Sequence, residues 1–139
     1  MTIFLLDTNL LSELSRGDRA DPSVNAWLAS VPSDQIGLSV MVIAEILTGI
    51  ERVKRRDPDY ADRLSRWIQK ILRQHRKNVV LITPEIASVY AQLQALRSVA
   101  TVDGLIAASA RHLGAVLVTR NVKDFTGLGV SLLNPFESA

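Results

Sequence analysis

The segment Ile3-Phe4-Leu5-Leu6-Asp7-Thr8-Asn9 sets the architecture of this chain. An apolar run of this length, ended by a polar cluster, is typical of a buried parallel strand followed by a turn. Polar side chains directly after such a strand lie at its carboxyl end, where open α/β sheets bind their ligands. Asp7 is therefore the first candidate functional residue.

Strands and helices alternate over the rest of the chain. The apolar patterns predict further strands over 35–39, 79–82, 115–119 and 130–133, and a hairpin of two helices over 40–56 and 58–76. Ser39, Thr83 and Thr101 are predicted to cap helices. The alternation predicts an α/β fold: one domain over residues 1–139, with a mainly parallel five-stranded sheet flanked by helices on both faces.

Composition narrows the functional classes. The chain has 139 residues, of which 47% are hydrophobic, enough for one core and too few for two. It has no cysteine, which excludes disulfides, thiolate metal ligands and a catalytic thiol. The first residues lack a basic leader and no apolar run could span a bilayer, so we expect a cytoplasmic protein without a membrane partner.

Basic residues are concentrated in one part of the chain. The segment 52–77 holds ten of the sixteen Lys and Arg residues, although the formal net charge is only +2. We call these ten residues the basic block: Arg52, Lys54, Arg55, Arg56, Arg63, Arg66, Lys70, Arg73, Arg76 and Lys77. Such a cluster suits a polyanionic partner, and a solvated helix face explains it equally well.

Four carboxylates stand out by their surroundings. Glu45 is the only charge in the apolar segment 40–47, so we expect it to be buried and to have a cationic partner, a metal partner or a raised pKa. Asp103 is the only charge in 99–108, and Asp124 follows the fourth predicted strand. Each has an ordinary alternative: an exposed helix position for Glu45, a helix N-terminus for Asp103, a cap for Asp7 and a surface turn for Asp124.

The four carboxylates gain weight as a set. The predicted sheet puts Asp7 and Asp124 at strand carboxyl ends, and Glu45 and Asp103 early in helices that begin at that edge, so we expect all four to converge on one pocket. Clustered carboxylates favour a hard divalent cation, Mg²⁺ or Mn²⁺, over zinc. Such a metal activates water and neutralises charge on a phosphodiester, which indicates hydrolysis of nucleic acid.

At these residues the sequence resembles the PIN-domain family, specifically its VapC-like and FitB-like toxins of bacterial toxin-antitoxin pairs. The resemblance runs through the whole chain and rests on the order of the segments 4–9, 44–46, 103–108, 119–125 and 133–136. It implies that Asp7, Glu45, Asp103 and Asp124 are metal ligands, directly or through water. Supporting roles are implied for Asn9, Thr119 and Asn121. It also implies Mg²⁺- or Mn²⁺-dependent RNA cleavage leaving 5′-phosphate ends, a homodimer and a cognate antitoxin that blocks the site.

The connection before the Asp103 helix departs from the family pattern. Only residues 98–101 separate the helix near Arg97 from the Asp103 helix, whereas similar proteins usually have a longer connection.

The main alternative to a ribonuclease is a catalytically silent PIN-like module that binds RNA or antitoxin. A phospho-receiver would need an acidic pair after the first strand and a lysine after the fifth, and a phosphatase with an aspartate nucleophile would need a second acid at Asn9.

Overall fold

Parallel strands form a single five-stranded sheet. The structure, a computed structural model, describes residues 1–137. The strands are β1 (Phe4–Leu6), β2 (Ile36–Ser39), β3 (Val79–Val80), β4 (Val116–Val118) and β5 (Ser131–Leu133). Their order across the sheet is β3-β2-β1-β4-β5, and every pairing is parallel. The predicted fold class is confirmed, with β2 and β5 one residue shorter and β3 and β4 two residues shorter than expected.

Six α-helices connect the strands. They are α1 (Thr8–Leu14), α2 (Pro22–Ala29), α3 (Val40–Val53), α4 (Pro58–Gln74), α5 (Pro84–Leu96) and α6 (Thr101–Leu113). Ser39, Asp57 and Thr83 cap α3, α4 and α5 through side-chain oxygens. The prediction for α6 was wrong in one respect: Ala100 occupies the cap position without a side-chain bond, and Thr101 is the first helical residue.

The strand order makes β1 the centre of the sheet and creates its switch point. β2 and β3 lie on one side of β1, and the chain then crosses back so that β4 and β5 lie on the other side. Right-handed crossovers therefore place α1–α4 on one face and α5–α6 on the other. A crevice forms where neighbouring connections diverge, at the carboxyl ends of β1 and β4. A phospho-receiver has the order 2-1-3-4-5, so the topology excludes that alternative.

The core lies where β1 and β4 meet the helices. Leu5 and Leu117 on the central strands are fully buried, and α6 buries a continuous run from Ile106 to Ala110. Small residues let α6 approach α5 closely. A Cβ built on Gly104 would lie 2.8 Å from the ring of Tyr90, so glycine is required for this approach. Among the helices within residues 1–137, none combines the length and hydropathy that a membrane span requires.

Candidate active site

Asp7 is anchored at the carboxyl end of the central strand. Its backbone N–H donates to the carbonyl of Val118 at 2.9 Å, which continues the β1–β4 pairing. Its side chain caps α1, since Oδ1 accepts the backbone N–H of Thr8 at 2.8 Å. The residue is only 5% exposed. Capping and a role in the site are therefore compatible, because the second carboxylate oxygen has other partners.

Those partners are Thr119 and Asn9. Thr119, fully buried after β4, donates its hydroxyl to Asp7 Oδ2 at 2.8 Å and accepts the backbone N–H of Asn121 at 3.0 Å. The amide of Asn9 donates to Asp7 Oδ2 at 3.1 Å. Burial raises the pKa of Asp7, while the bonds from Thr119 and Thr8 lower it and the charge of Glu45 raises it further. These bonds hold the carboxylate in one orientation at the switch point.

Glu45 does not have the surroundings that the sequence predicted. It is the sixth residue of α3 and is exposed, as are the nearby residues Ala44 and Leu47. The expectation of burial was wrong because apolar residues surround it in the sequence but not in space. Its carboxylate nevertheless belongs to the switch-point edge, where Thr8 donates its hydroxyl to Glu45 Oε1. Thr8 is thus a site residue that the sequence analysis missed.

Asp103 and Asp124 complete the acidic edge. Asp103 is the third residue of α6 and is partly buried. Asp124 is exposed and lies in the 3-10 helix Val122–Phe125 after β4. Burial raises the pKa of Asp103, and the charges of Asp7, Asp124 and Glu45 raise it further. The four predicted carboxylates therefore share one electrostatic environment. Within residues 1–137, no Lys, Arg or His forms a salt bridge with any of them.

A divalent cation suits this arrangement, but only in a hydrated form. No three His, Asp or Glu side chains within the described part of the chain are arranged to hold one ion directly. Mg²⁺ commonly uses one or two carboxylates and keeps several waters, so a ready-made cage is not required. An all-oxygen set without a neighbouring cation fits Mg²⁺ or Mn²⁺ by the chemistry of its donors.

Arg97 ties together two of the acidic segments, and the sequence analysis assigned it no role. Its guanidinium donates to the carbonyl of Asp124 at 2.7 Å and to that of Thr126 at 3.1 Å. Gln94 fixes the following connection, because its amide binds both the carbonyl of Val99 at 2.8 Å and the N–H of Val99 at 3.2 Å. The short connection before Asp103 is thereby ordered and fastened to the Asp124 segment.

The basic block lies on the surface of the α3–α4 hairpin. All ten of its residues are exposed, as a solvated helix face and a nucleic-acid surface both require. Within residues 1–137, Lys54 and Arg66 are the members of the block that form ion pairs, with Glu51 at 2.7 Å and Asp62 at 3.3 Å. A groove of about 310 Å³ runs between α1, α3 and α4, with Thr8 and Glu45 in its lining and Tyr60 on the α4 side. Arg63 stacks on the Tyr60 ring at 5.2 Å, so the groove joins the acidic edge to the block.

The fold and the site together define a class: a parallel α/β domain with carboxylates at the carboxyl edge of its sheet, beside the switch point between β1 and β4. Comparison with known proteins supplies the family. The PIN domain family matches residues 4–127, which is most of the chain. The chain belongs to the PIN domain family.

Individual relatives match over their whole length. The toxin FitB of Neisseria gonorrhoeae is 29% identical, over 96% of this chain and 99% of its own. A VapC ribonuclease of Sinorhizobium fredii is 28% identical, over 99% of this chain and 100% of its own. The crystal structure of FitAcB from Neisseria gonorrhoeae covers 98% of this chain and 100% of its own with a TM-score of 0.89 and 27% identity. A toxin-antitoxin complex from Klebsiella pneumoniae, also at 27% identity, covers 96% of this chain and 98% of its own with a TM-score of 0.73.

Proposed function

We propose that this chain is a ribonuclease that depends on Mg²⁺ or Mn²⁺ and acts as the toxin of a toxin-antitoxin pair. The observation that carries the proposal is the acidic edge at the sheet's switch point, where Asp7 is held by Thr119 and Asn9 and the charges of Asp7, Asp124 and Glu45 raise the pKa of Asp103. The chain's likeness to a VapC ribonuclease supports RNA as the substrate.

Each residue of the site has a distinct task in this proposal. Asp7, Glu45, Asp103 and Asp124 would hold the metal, directly or through water. When bound, the metal would neutralise charge on the scissile phosphate and lower the pKa of a water. Thr119 and Asn9 fix the orientation of Asp7, and the hydroxyl of Thr8 restrains Glu45. Asn121 supports the site through its backbone N–H, which donates to Thr119.

The basic block supplies what the acidic edge lacks, an attraction for the RNA backbone. Ten basic residues lie between Arg52 and Lys77 in a chain of net charge +2, so the remainder of the molecule is net negative. Phosphates bound at the block release counterions, and the groove at Glu45 leads from the block to the carboxylates. We therefore expect RNA affinity to fall with salt and with charge reversal at Arg63 and Arg66.

Two protein partners and a location belong to the same proposal. The similar solved structures include toxin-antitoxin complexes, which supports a cognate antitoxin for this chain. Large apolar side chains at the surface, among them Leu81 at 63% and Leu96 at 62% exposure, support a homodimer. Light scattering of the purified protein tests the dimer. A cellular RNA substrate would place the protein in the cytoplasm.

The test is cleavage of labelled total cellular RNA by purified protein in Mg²⁺, Mn²⁺ or EDTA. We expect cleavage that requires metal and is lost in Asp7→Asn. Asp34→Asn is the control for the loss of one carboxylate, because Asp34 is an exposed aspartate in the 3-10 helix before β2, outside the candidate site. Cleavage that persists in EDTA or in Asp7→Asn would contradict the proposal.

A silent PIN-like module that binds RNA or antitoxin is the second candidate. It is favoured by one observation, that no three acidic side chains within residues 1–137 are arranged to hold an ion directly. This candidate predicts a folded protein that binds RNA or antitoxin but shows no cleavage with either metal. The same experiment, with an RNA-binding arm, separates the two functions.

A further inference from the structure

A second concavity borders the acidic edge on the side away from Glu45. It has a volume of about 300 Å³ and is lined by residues 120–124, which follow β4, and by Asn134 and Glu137, which follow β5. Asp124 forms part of its wall, so it opens beside the candidate metal site. This volume lies at the lower end of the range of small-ligand sites, which is the scale of a single nucleotide.

Arg120 is fixed in this wall by two contacts. Its guanidinium carbon lies 4.5 Å from the centre of the Phe136 ring, a cation-π contact that restrains a side chain otherwise free to move in solvent. Its backbone N–H donates to Asn9 Oδ1 at 3.0 Å, and Asn9 in turn donates to Asp7 Oδ2 at 3.1 Å. Arg120 is thus connected to the central carboxylate through one intervening side chain.

Arg120 and Lys123 line the cavity together with the carboxylates of Asp124 and Glu137. Within residues 1–137, neither Arg120 nor Lys123 forms a salt bridge with a carboxylate. An ordered guanidinium without a salt bridge offers paired N–H donors to a phosphate, and its plane can also carry a base. The ligand chemistry that matches this wall is therefore a phosphate attached to a nucleotide.

Asn134 provides a group that can distinguish bases. Its Oδ1 accepts the backbone N–H of Phe136 at 3.0 Å, which fixes the side chain in the cavity lining. Its Nδ2 forms no hydrogen bond within the described part of the chain, so its N–H donors remain for a ligand. Amide side chains recognise the edges of unpaired bases in RNA.

We propose that this cavity binds the nucleotide of the RNA substrate that borders the scissile phosphate, with Arg120 contacting its phosphate and Asn134 contacting its base. The proposal rests on the proposed function for its biological meaning, but its test does not require turnover. It assigns Arg120 and Asn134 to substrate binding and gives Phe136 the task of positioning Arg120.

The experiment is an NMR titration of ¹⁵N-labelled protein with four RNA pentanucleotides, each made of one base only. The titration is done in EDTA so that metal-dependent cleavage cannot occur. We expect saturable shifts at the N–H groups of residues 120–123 and at the side-chain amide of Asn134, with affinity reduced at least about tenfold in Arg120→Met. Arg111→Met is the matched control, because Arg111 is likewise an exposed arginine, but it lies outside the cavity and donates to the carbonyl of Leu128 at 3.5 Å. The affinity of Arg111→Met for the pentanucleotides should equal that of the wild type.

Three further variants make the test specific. Arg120→Lys keeps the charge but loses the planar fork, and Phe136→Leu keeps Arg120 but frees it, so both should weaken binding less than Arg120→Met does. Asn134→Ala should reduce the difference in affinity among the four pentanucleotides. Shifts confined to the basic block, or equal affinity in Arg120→Met and wild type, would overturn the proposal. If RNA is never cleaved but these shifts occur, the proposed catalysis fails and the nucleotide site stands.

Discussion

Replacing Thr119 by valine tests the hydrogen bonds that hold Asp7. Valine has nearly the same shape as threonine, so the buried site stays filled while the hydroxyl is removed. The change deletes the bond to Asp7 Oδ2 at 2.8 Å and leaves the N–H of Asn121 without its acceptor at 3.0 Å. A bond to a charged group contributes about 1.5–3 kcal/mol and a neutral one about 0.5–1.5 kcal/mol. We expect a loss of about 2–4 kcal/mol in the free energy of unfolding.

The loss should depend on pH, and its direction follows from Asp7. The Thr119 hydroxyl stabilises the charged carboxylate, so its removal raises the pKa of Asp7 further above its ordinary value. A raised pKa in the folded state means that the folded protein holds its proton to higher pH than the unfolded chain, and stability falls as pH rises through that value. The destabilisation by Thr119→Val should therefore be largest near neutrality and should shrink as Asp7 becomes protonated.

Urea denaturation followed by circular dichroism measures this effect at about pH 7.5 and at about pH 5, in EDTA. Thr119→Ser keeps the hydroxyl and loses only a methyl group, so it serves as the control for packing. It should show a smaller loss that is the same at both pH values. The reasoning is refuted if Thr119→Val is as stable as the wild type near neutrality, or if its loss does not change with pH.

Three other substitutions have expected outcomes. Gly104→Ala gains about 1 kcal/mol of helix propensity but places a Cβ 2.8 Å from the Tyr90 ring, and overpacking costs about 1–3 kcal/mol. Urea denaturation should therefore show no gain in stability or a net loss. Gly49→Ala is the control and should gain stability, because Gly49 lies in α3 with open space around it. Asp103→Asn should raise the melting temperature near neutrality in EDTA and flatten its decline with rising pH, because burial and neighbouring carboxylates raise the pKa of Asp103; a melting curve that shifts downward would indicate a structural role. Arg97→Met should weaken Mn²⁺ binding measured by calorimetry, because Arg97 holds the carbonyl of Asp124. Arg111→Met is the control and should bind Mn²⁺ as the wild type does. Equal affinities in the wild type and both variants would exclude a positioning role for Arg97.

Local patterns in the sequence were sufficient for the order of strands and helices. Apolar runs marked all five strands, and Asp-Pro or Thr-Pro pairs marked the starts of α4 and α5, because a cap oxygen and a proline at the first turn act within a few residues. Element ends were less accurate: α3 and α4 end at Val53 and Gln74, two to three residues before their predicted ends. Helix ends depend on tertiary packing as well as on local sequence.

The errors at the site have a common physical cause. Glu45 has apolar neighbours in the sequence, yet it is exposed, because burial depends on which face of α3 meets the core. Thr8, Arg97 and Arg120 were not recognised, because each contacts a partner 27 to 111 positions away in the sequence. The partners are Glu45 for Thr8, Asp124 for Arg97 and Asn9 for Arg120. Residue type and spacing carry no signal for such contacts.

The sequence by itself determined the α/β class, the place of Asp7 after a buried strand and the concentration of basic charge between Arg52 and Lys77. These properties follow from hydrophobic periodicity, turn chemistry and composition, which act over short stretches of chain. Only the tertiary structure decided the order β3-β2-β1-β4-β5, the exposure of Glu45, the hydrogen bonds of Thr119 to Asp7 and the cavity at Arg120. Each of these depends on how separate segments pack in space: Thr119 and Asp7, for example, are 112 positions apart and are brought into contact by the pairing of β1 with β4.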